Sequence, residues 1–268
     1  MRFIILLVCL PLFPCLAQPT GYKYDTSKKV FDAIVAAYSA GRTAPALEIR
    51  QKNYPGKKQI LMYYPGEQPK IVMDEEVYDL CAGMGADSLN ALAALLGHEL
   101  AHHYEKHDWC SNFAYMMGAD APLSAKLARI SKEQKLQVET EADDYGGFYG
   151  YVAGYATLEV LPRLLDELYR HYKLPETLKG YPSKTERKEI AAGTLKKLRQ
   201  WQAVFDASEF LLCMKEYESA ASGFAYLSGQ FPSREMYNNA GVAKTLAAME
   251  RMPNADMPFM LPLEFDSR

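Results

Sequence analysis

The sequence lacks a Cys-x-x-Cys pair, a stripe of basic residues and an apolar run of bilayer length, and each absence excludes a class of protein. Five cysteines occur in 268 residues, and only Cys81, Cys110 and Cys213 lie beyond position 17. An odd number makes no disulfide framework. Without Cys-x-x-Cys spacing a cysteine zinc site is not expected either. Cys81 and Cys110 flank one expected helix and form a candidate pair. Lys and Arg (30) are outnumbered by Asp and Glu (33), giving a net charge of −3 with the two signs intermixed. That leaves no electrostatic case for binding nucleic acid. The uncharged stretch Tyr145 to Leu158 is too short to span lipid, so it reads as a buried core helix. Its Gly146, Gly150 and Gly154 allow close approach to a neighbour. Hydrophobic residues at 49% and charged residues at 24% are globular values.

What is present begins with a leader. Met1-Arg2 is a positive start, Phe3 to Leu12 an apolar core, and Cys15-Leu16-Ala17 a small-x-small ending before Gln18. Residues 1–17 are therefore expected to be a cleaved secretory signal peptide, and the mature chain to be periplasmic or secreted with no transmembrane span. Pro11 and Pro14 interrupt the run and argue against a membrane anchor. Val8 and Pro14, standing before Cys9 and Cys15, suit a lipoprotein cut poorly.

After the leader, Ser27 to Ala40 reads as an amphipathic helix stopped by Gly41. Extended runs at 46–51, 59–64 and 70–74 are separated by Pro55-Gly56 and Pro65-Gly66, which predicts a small antiparallel sheet. Asp87-Ser88 opens a helix through Leu92, Leu95 and Leu96. Long helices are expected at about 131–160 and 161–172, and helix throughout from Glu186. The fold class is thus α+β: a mostly helical domain, 18–195, with a small sheet, followed by an all-helical repeat-like segment, 196–268.

The helix after Asp87 carries His98-Glu99-Leu100-Ala101-His102. Residues four apart share a helix face, so both imidazoles can reach one ion. Glu99, beside the first of them, is placed as the base that takes a proton from a metal-activated water and returns it to a leaving amine. Two imidazoles are usually completed by a carboxylate in a catalytic zinc site. Glu139-Thr140-Glu141-Ala142-Asp143 offers one in the next long helix. Glu139 and Asp143 share a face, which suits one ligand and one partner for a ligand histidine. Glu141 and Asp144 are rival ligands, and a solvated acidic face is the simpler alternative.

These residues carry a resemblance. Gly97-His98-Glu99-Leu100-Ala101-His102, then Glu139-x-Glu141-Ala142-Asp143-x-x-Gly146, resembles the HExxH plus ExxxD pair of the HtpX, BepA and CAAX-prenyl-endopeptidase family of gluzincins. The likeness covers about residues 26–195 and includes His107. It implies one Zn2+ per chain held by His98, His102 and Glu139, with Asp143 bracing a ligand histidine. It implies hydrolysis of protein or peptide substrates, among them misfolded or misassembled exported proteins. One departure stands out: where that family carries His-Pro before Glu-Arg, this chain has Tyr181-Pro182 before Glu186-Arg187. A phenol can still donate to a developing oxyanion, so Tyr181 enters as a catalytic candidate. Arg187 either pairs with the site's carboxylates or braces the loop.

His103 is one step off the ligand face, His107 falls near the helix end, and His171 has no motif neighbours. From Trp201, a 34-residue unit places Ala220, Phe224 and Pro232 where a tetratricopeptide repeat wants small, aromatic and helix-ending residues. Such a segment offers a surface for a protein partner. The rival to an enzyme is a weakly active or inactive peptidase-like scaffold that binds clients through these helices. It is disfavoured because a scaffold gains nothing from keeping Glu99. A membrane-embedded prenyl-type protease fails for want of spanning helices.

Overall fold

The computed structural model describes residues 21–51, 62–63, 69–107, 132–176 and 183–252. Residues 1–20, Cys110, Tyr181 and the tail from 253 lie outside the described residues. The chain opens with α1 (Gly21–Tyr38), which buries Val30, Phe31, Ile34, Ala37 and Tyr38 on one face. Strands β1 (Ala46–Arg50), β2 (Met62–Tyr63) and β3 (Lys70–Asp74) follow, then α2 (Glu75–Ala82) and α3 (Ser88–Tyr104). Beyond these come α4 (Lys132–Val152), α5 (Thr157–His171), α6 (Lys184–Cys213), α7 (Tyr217–Gln230) and α8 (Arg234–Arg251).

The α+β, mostly helical class holds, but the sheet is not the expected antiparallel meander. Its order is β1-β3-β2, with β1 parallel to β3 and β2 antiparallel to it. β3 lies in the middle, and its Ile71, Val72 and Met73 are fully buried, as the central strand of a covered sheet requires. α2 was not anticipated: Glu75 and Glu76 in its first turn suit the positive end of the helix dipole, and Val77 and Cys81 turn inward. Cys81 is a free, buried thiol, and its candidate partner Cys110 lies outside the described residues. Burial pushes the pKa of Cys81 up to about 12, which leaves it an inert core residue.

α3 is the centre of the molecule. Alanines and leucines surround it, and Ala91, Leu92, Ala93, Leu96, Leu100 and Ala101 are all buried. A helix with this many buried apolar side chains has to be enclosed, and α1, α4 and α5 pack around it. The tightest approach is to α4. A Cβ added to Gly146 would lie 2.5 Å from both the carbonyl carbon of Gly97 and the amide nitrogen of His98. Only two glycines let the main chains meet there.

The long helix expected to run to about 160 breaks instead. Gly154 takes φ +90°, α5 restarts at Thr157, and the Thr157 hydroxyl donates back to the Gly147 carbonyl at 2.6 Å. A left-handed residue ends a helix, and glycine adopts that conformation without a steric cost. Of the three glycines, Gly146 makes the close helix contact, Gly150 accommodates Thr157, and Gly154 is the stop.

The boundary expected between 195 and 196 falls inside α6, a single helix of 30 residues. Phe148 of α4 stacks on Phe231 at 4.3 Å between centroids and meets Trp201 edge-on at 6.0 Å. Trp201, Phe205, Phe224 and Phe231 belong to the same buried cluster as the α1, α3 and α4 side chains. Trp201 to Gln230 does form a helical hairpin, with Ala220 and Phe224 buried between its helices. It shares one core with the sheet-containing part.

Candidate metal centre

α3 and α4 touch through main-chain atoms one residue before His98, so the next turn of α3 faces the preceding turns of α4. His98 and His102 project from α3, and Glu139 comes up from α4 to meet them. The Nε2 atoms of the two histidines are 3.0 Å apart. The Glu139 carboxylate lies 3.6 Å from His98 Nε2 and 3.9 Å from His102 Nε2. One ligand atom from each residue falls within 4.8 Å of the others. Among the described residues this buried group of His98, His102 and Glu139 can hold a metal ion.

The surroundings fit that role. The remaining ring nitrogen of each histidine is already occupied: His98 Nδ1 pairs with Asp143 Oδ1 at 2.8 Å, and His102 Nδ1 with His107 Nδ1 at 2.8 Å. Partners of this kind fix the tautomer that leaves Nε2 free for a metal. His107 Nε2 in turn lies 3.6 Å from the Glu141 carboxylate. Glu141 is thus two bonds of the network away from the centre, not a ligand. Asp144 pairs with Lys197 at 2.5 Å and points elsewhere.

Arg187 completes the cluster. Ser183 and Glu186 form a reciprocal cap at the start of α6, with Ser183 N–H donating to Glu186 at 2.7 Å and Glu186 N–H to Ser183 Oγ at 3.1 Å. That cap aims the next residue inward. The Arg187 guanidinium donates to Glu139 Oε2 at 3.1 Å and lies 3.3 Å from Asp143 Oδ2. Of the two roles open to it, pairing with the site's carboxylates is the one observed. Two formal negative charges, on Glu139 and Asp143, face one positive charge on Arg187. A divalent cation held by this group would add positive charge beside the two carboxylates.

The protonation tendencies follow from the same neighbours. Burial disfavours a charged His98, but the Asp143 bond, with Glu139 and Glu99 behind it, outweighs burial and raises its pKa. His102 is pushed well down by burial, with His98, His107 and Arg187 adding to the effect. Burial raises Glu139, against the pull of Arg187 and His98. Asp143 is held down because Arg187 and His98 outweigh its burial.

Glu99 is nearly buried, 5% exposed, and lines a cavity beside His98. Tyr181 lies outside the described residues. His103 turns away and contacts the Thr43 carbonyl at 3.0 Å, and His171 pairs with Glu76 at 3.1 Å near the surface. Gly97 and the leucines of α5 were not singled out from the sequence as site residues. A glycine in an otherwise alanine- and leucine-rich helix, one step before the first histidine, was the available signal. No protein-family model, curated protein or solved structure matches this chain.

Proposed function

We propose that the chain is an exported zinc-dependent endopeptidase that hydrolyses peptide bonds of misfolded or misassembled proteins. The observation that carries the reading is the convergence of His98, His102 and Glu139, with Glu99 next to the first of them on the same helix. Two imidazoles and one carboxylate, without sulfur, are the donor set of a catalytic zinc site. Zinc bound there supplies Lewis acidity and brings the pKa of a coordinated water to around 7.

The chain's own groups do the rest. Asp143 accepts the Nδ1 proton of His98, and the His102 Nδ1 proton goes to His107, so both rings present Nε2. Arg187 holds the Glu139 carboxylate in place and opposes the effect of burial on it. Glu99 takes a proton from the attacking water and delivers it to the nitrogen of the breaking amide bond. That nitrogen leaves as an amine and the carbonyl carbon becomes a carboxyl group. Tyr181 is the proposed donor to the oxyanion. Export and the protein substrate class rest on residues 1–17 and on the family resemblance. A protein partner at the C-terminal helices is supported by Phe210, Met214, Tyr226 and Tyr237, all more than half exposed.

Zinc content by mass spectrometry and hydrolysis of casein and of a peptide library, on wild type and Glu99→Gln, test this. The variant is expected to keep about one zinc per chain and lose roughly a thousandfold or more in activity. Equal turnover in the two proteins would refute the role of Glu99. A wild type that binds zinc and casein but cleaves nothing would favour the scaffold.

A further inference from the structure

The side of α4 that faces away from Glu139 and Asp143 borders another cavity, of about 530 Å³, where α4, α6 and the end of α7 meet. Glu133, Gln137, Glu141 and Asp144 line it at four- and three-residue spacing, which keeps them on one helix face. The inner wall is aromatic. Trp201 meets Phe231 edge-on at 4.1 Å between centroids, and Tyr145 meets Phe231 edge-on at 5.1 Å. Three carboxylates, of Glu133, Glu141 and Asp144, share the lining with a single cation, Lys197.

Asp144 is the informative member. It is 5% exposed, and its Oδ2 takes the Lys197 ammonium at 2.5 Å. Its Oδ1 is buried and has no hydrogen-bond partner among the described residues. A buried carboxylate oxygen without a donor costs free energy, and a ligand that brings a donor recovers it. Lys197 lies over the Trp201 ring, 4.6 Å from its centroid, so a cation already rests on this aromatic face.

We propose that this cavity binds an arginine side chain of a polypeptide, with the guanidinium against Trp201 and Tyr145 and its N–H groups donating to Asp144 and Glu141. A guanidinium suits the site better than an ammonium: it is planar, stacks on aromatic rings, sheds water more easily and carries a fork of donors for carboxylates. The cavity is in the size range that encloses a whole small ligand, more than one side chain fills. Gln137 and Gln230 stand exposed at its rim, and their amides match the donors and acceptors of a peptide main chain. Neither Glu99 nor any of the three residues that can hold a metal lines the cavity, so this site does not depend on the peptidase reading.

The test is isothermal titration of the full chain, carrying Glu99→Gln so that no peptide is consumed. The probes are a blocked alanine pentapeptide with a central arginine, the same peptide with citrulline or lysine in its place, and free agmatine. Citrulline keeps the shape of arginine and removes its charge. The arginine peptide is expected to bind at least about tenfold more tightly than the citrulline peptide, more tightly than the lysine peptide, and less tightly as salt is raised. Asp144→Asn should weaken it by at least about tenfold. Lys197→Met should strengthen it several-fold, because the competing cation leaves both Asp144 Oδ2 and the Trp201 face. Lys197 is half exposed, so that variant decides the matter even if circular dichroism shows Asp144→Asn misfolded. No binding of any probe, equal affinity for the arginine and citrulline peptides, or binding that Lys197→Met leaves unchanged overturns the site. Lysine binding as tightly as arginine overturns the guanidinium, and agmatine binding as tightly as the arginine peptide overturns the polypeptide.

Discussion

His102 and His107 meet ring nitrogen to ring nitrogen, Nδ1 to Nδ1, at 2.8 Å. One of the two must donate. His102 has its Nε2 turned to His98 and Glu139, so its proton belongs on Nδ1, and His107 accepts with a bare Nδ1. His107 then carries its own proton on Nε2, the side that faces Glu141. His107→Ala should therefore leave His102 free to adopt the wrong tautomer and weaken zinc binding by about 10- to 100-fold. Glu139→Ala should abolish most zinc binding, whereas Glu141→Ala should barely change it. Competition with a chromogenic chelator measures all three. A zinc affinity that falls with Glu141 and not with Glu139 would reverse the ligand assignment.

Metal uptake should fail at a higher pH than ordinary histidines would dictate. The Asp143 bond raises His98 above the usual 6.5 against the effect of burial. In the metal-free protein the fold thus favours the charged ring. That contribution to stability is full below the usual value and is lost as pH rises through the raised one. The metal needs the neutral ring, so binding expels this proton, and affinity drops as pH falls through the raised value. Asp143→Asn should move the onset to lower pH. Zinc titrations from about pH 5 to 9 check the direction, because His is the group that titrates in that range.

The contact between α3 and α4 should tolerate no side chain. Gly146→Ala places a Cβ 2.5 Å from main-chain atoms of Gly97 and His98, and main chain cannot turn aside as a flexible side chain can. A loss of about 1–3 kcal/mol is expected, together with weaker zinc binding, because the helices carrying the ligands are pushed apart. Gly193→Ala in α6 meets nothing within 4 Å and should gain about 0.5–1 kcal/mol instead. Thermal melting of the two variants, with and without zinc, separates a close-approach effect from glycine replacement in general.

Ending the chain at residue 200 should prevent stable folding. It removes Trp201, Phe205, Phe224 and Phe231 from the core that also holds Phe148 and Tyr149. Loss of each large aromatic costs about 3–5 kcal/mol, against a total stability of roughly 5–15. Circular dichroism and zinc content of the truncated chain test this against a chain ending at 252. A folded, zinc-loaded product from the shorter chain would show that residues 18–195 stand alone, as the repeat-like sequence pattern had suggested.

The chemistry of the centre was legible because it is written locally. His98, Glu99 and His102 lie within one helical turn, and Glu139 and Asp143 within another, so spacing alone gives each pair a shared face. Arg187 could not be assigned from spacing, since its partners lie more than forty residues away. The strand pairing was misread for a related reason. Pro55-Gly56 and Pro65-Gly66 announce turns, but turns do not say which strand takes the middle position, and β1 pairs with β3 rather than with β2. Gly154 was read as part of a helix because a glycine that permits close packing and one that ends a helix look alike in sequence. Its positive φ is what separates them. The leucines of α5 show the same limit. A stripe at helical spacing announces burial and does not reveal that a space remains in front of it, next to Glu99.

The glycine contact between α3 and α4 also bears on how the proposed centre would take up a metal. Because main chain touches main chain there, the separation of the two histidines from Glu139 is set before any ion arrives. Capturing an ion there should therefore require little reorganisation. Exchange of zinc should accordingly be governed by how fast solvent and chelator reach His98, the most accessible of the three ligands, rather than by opening of the fold.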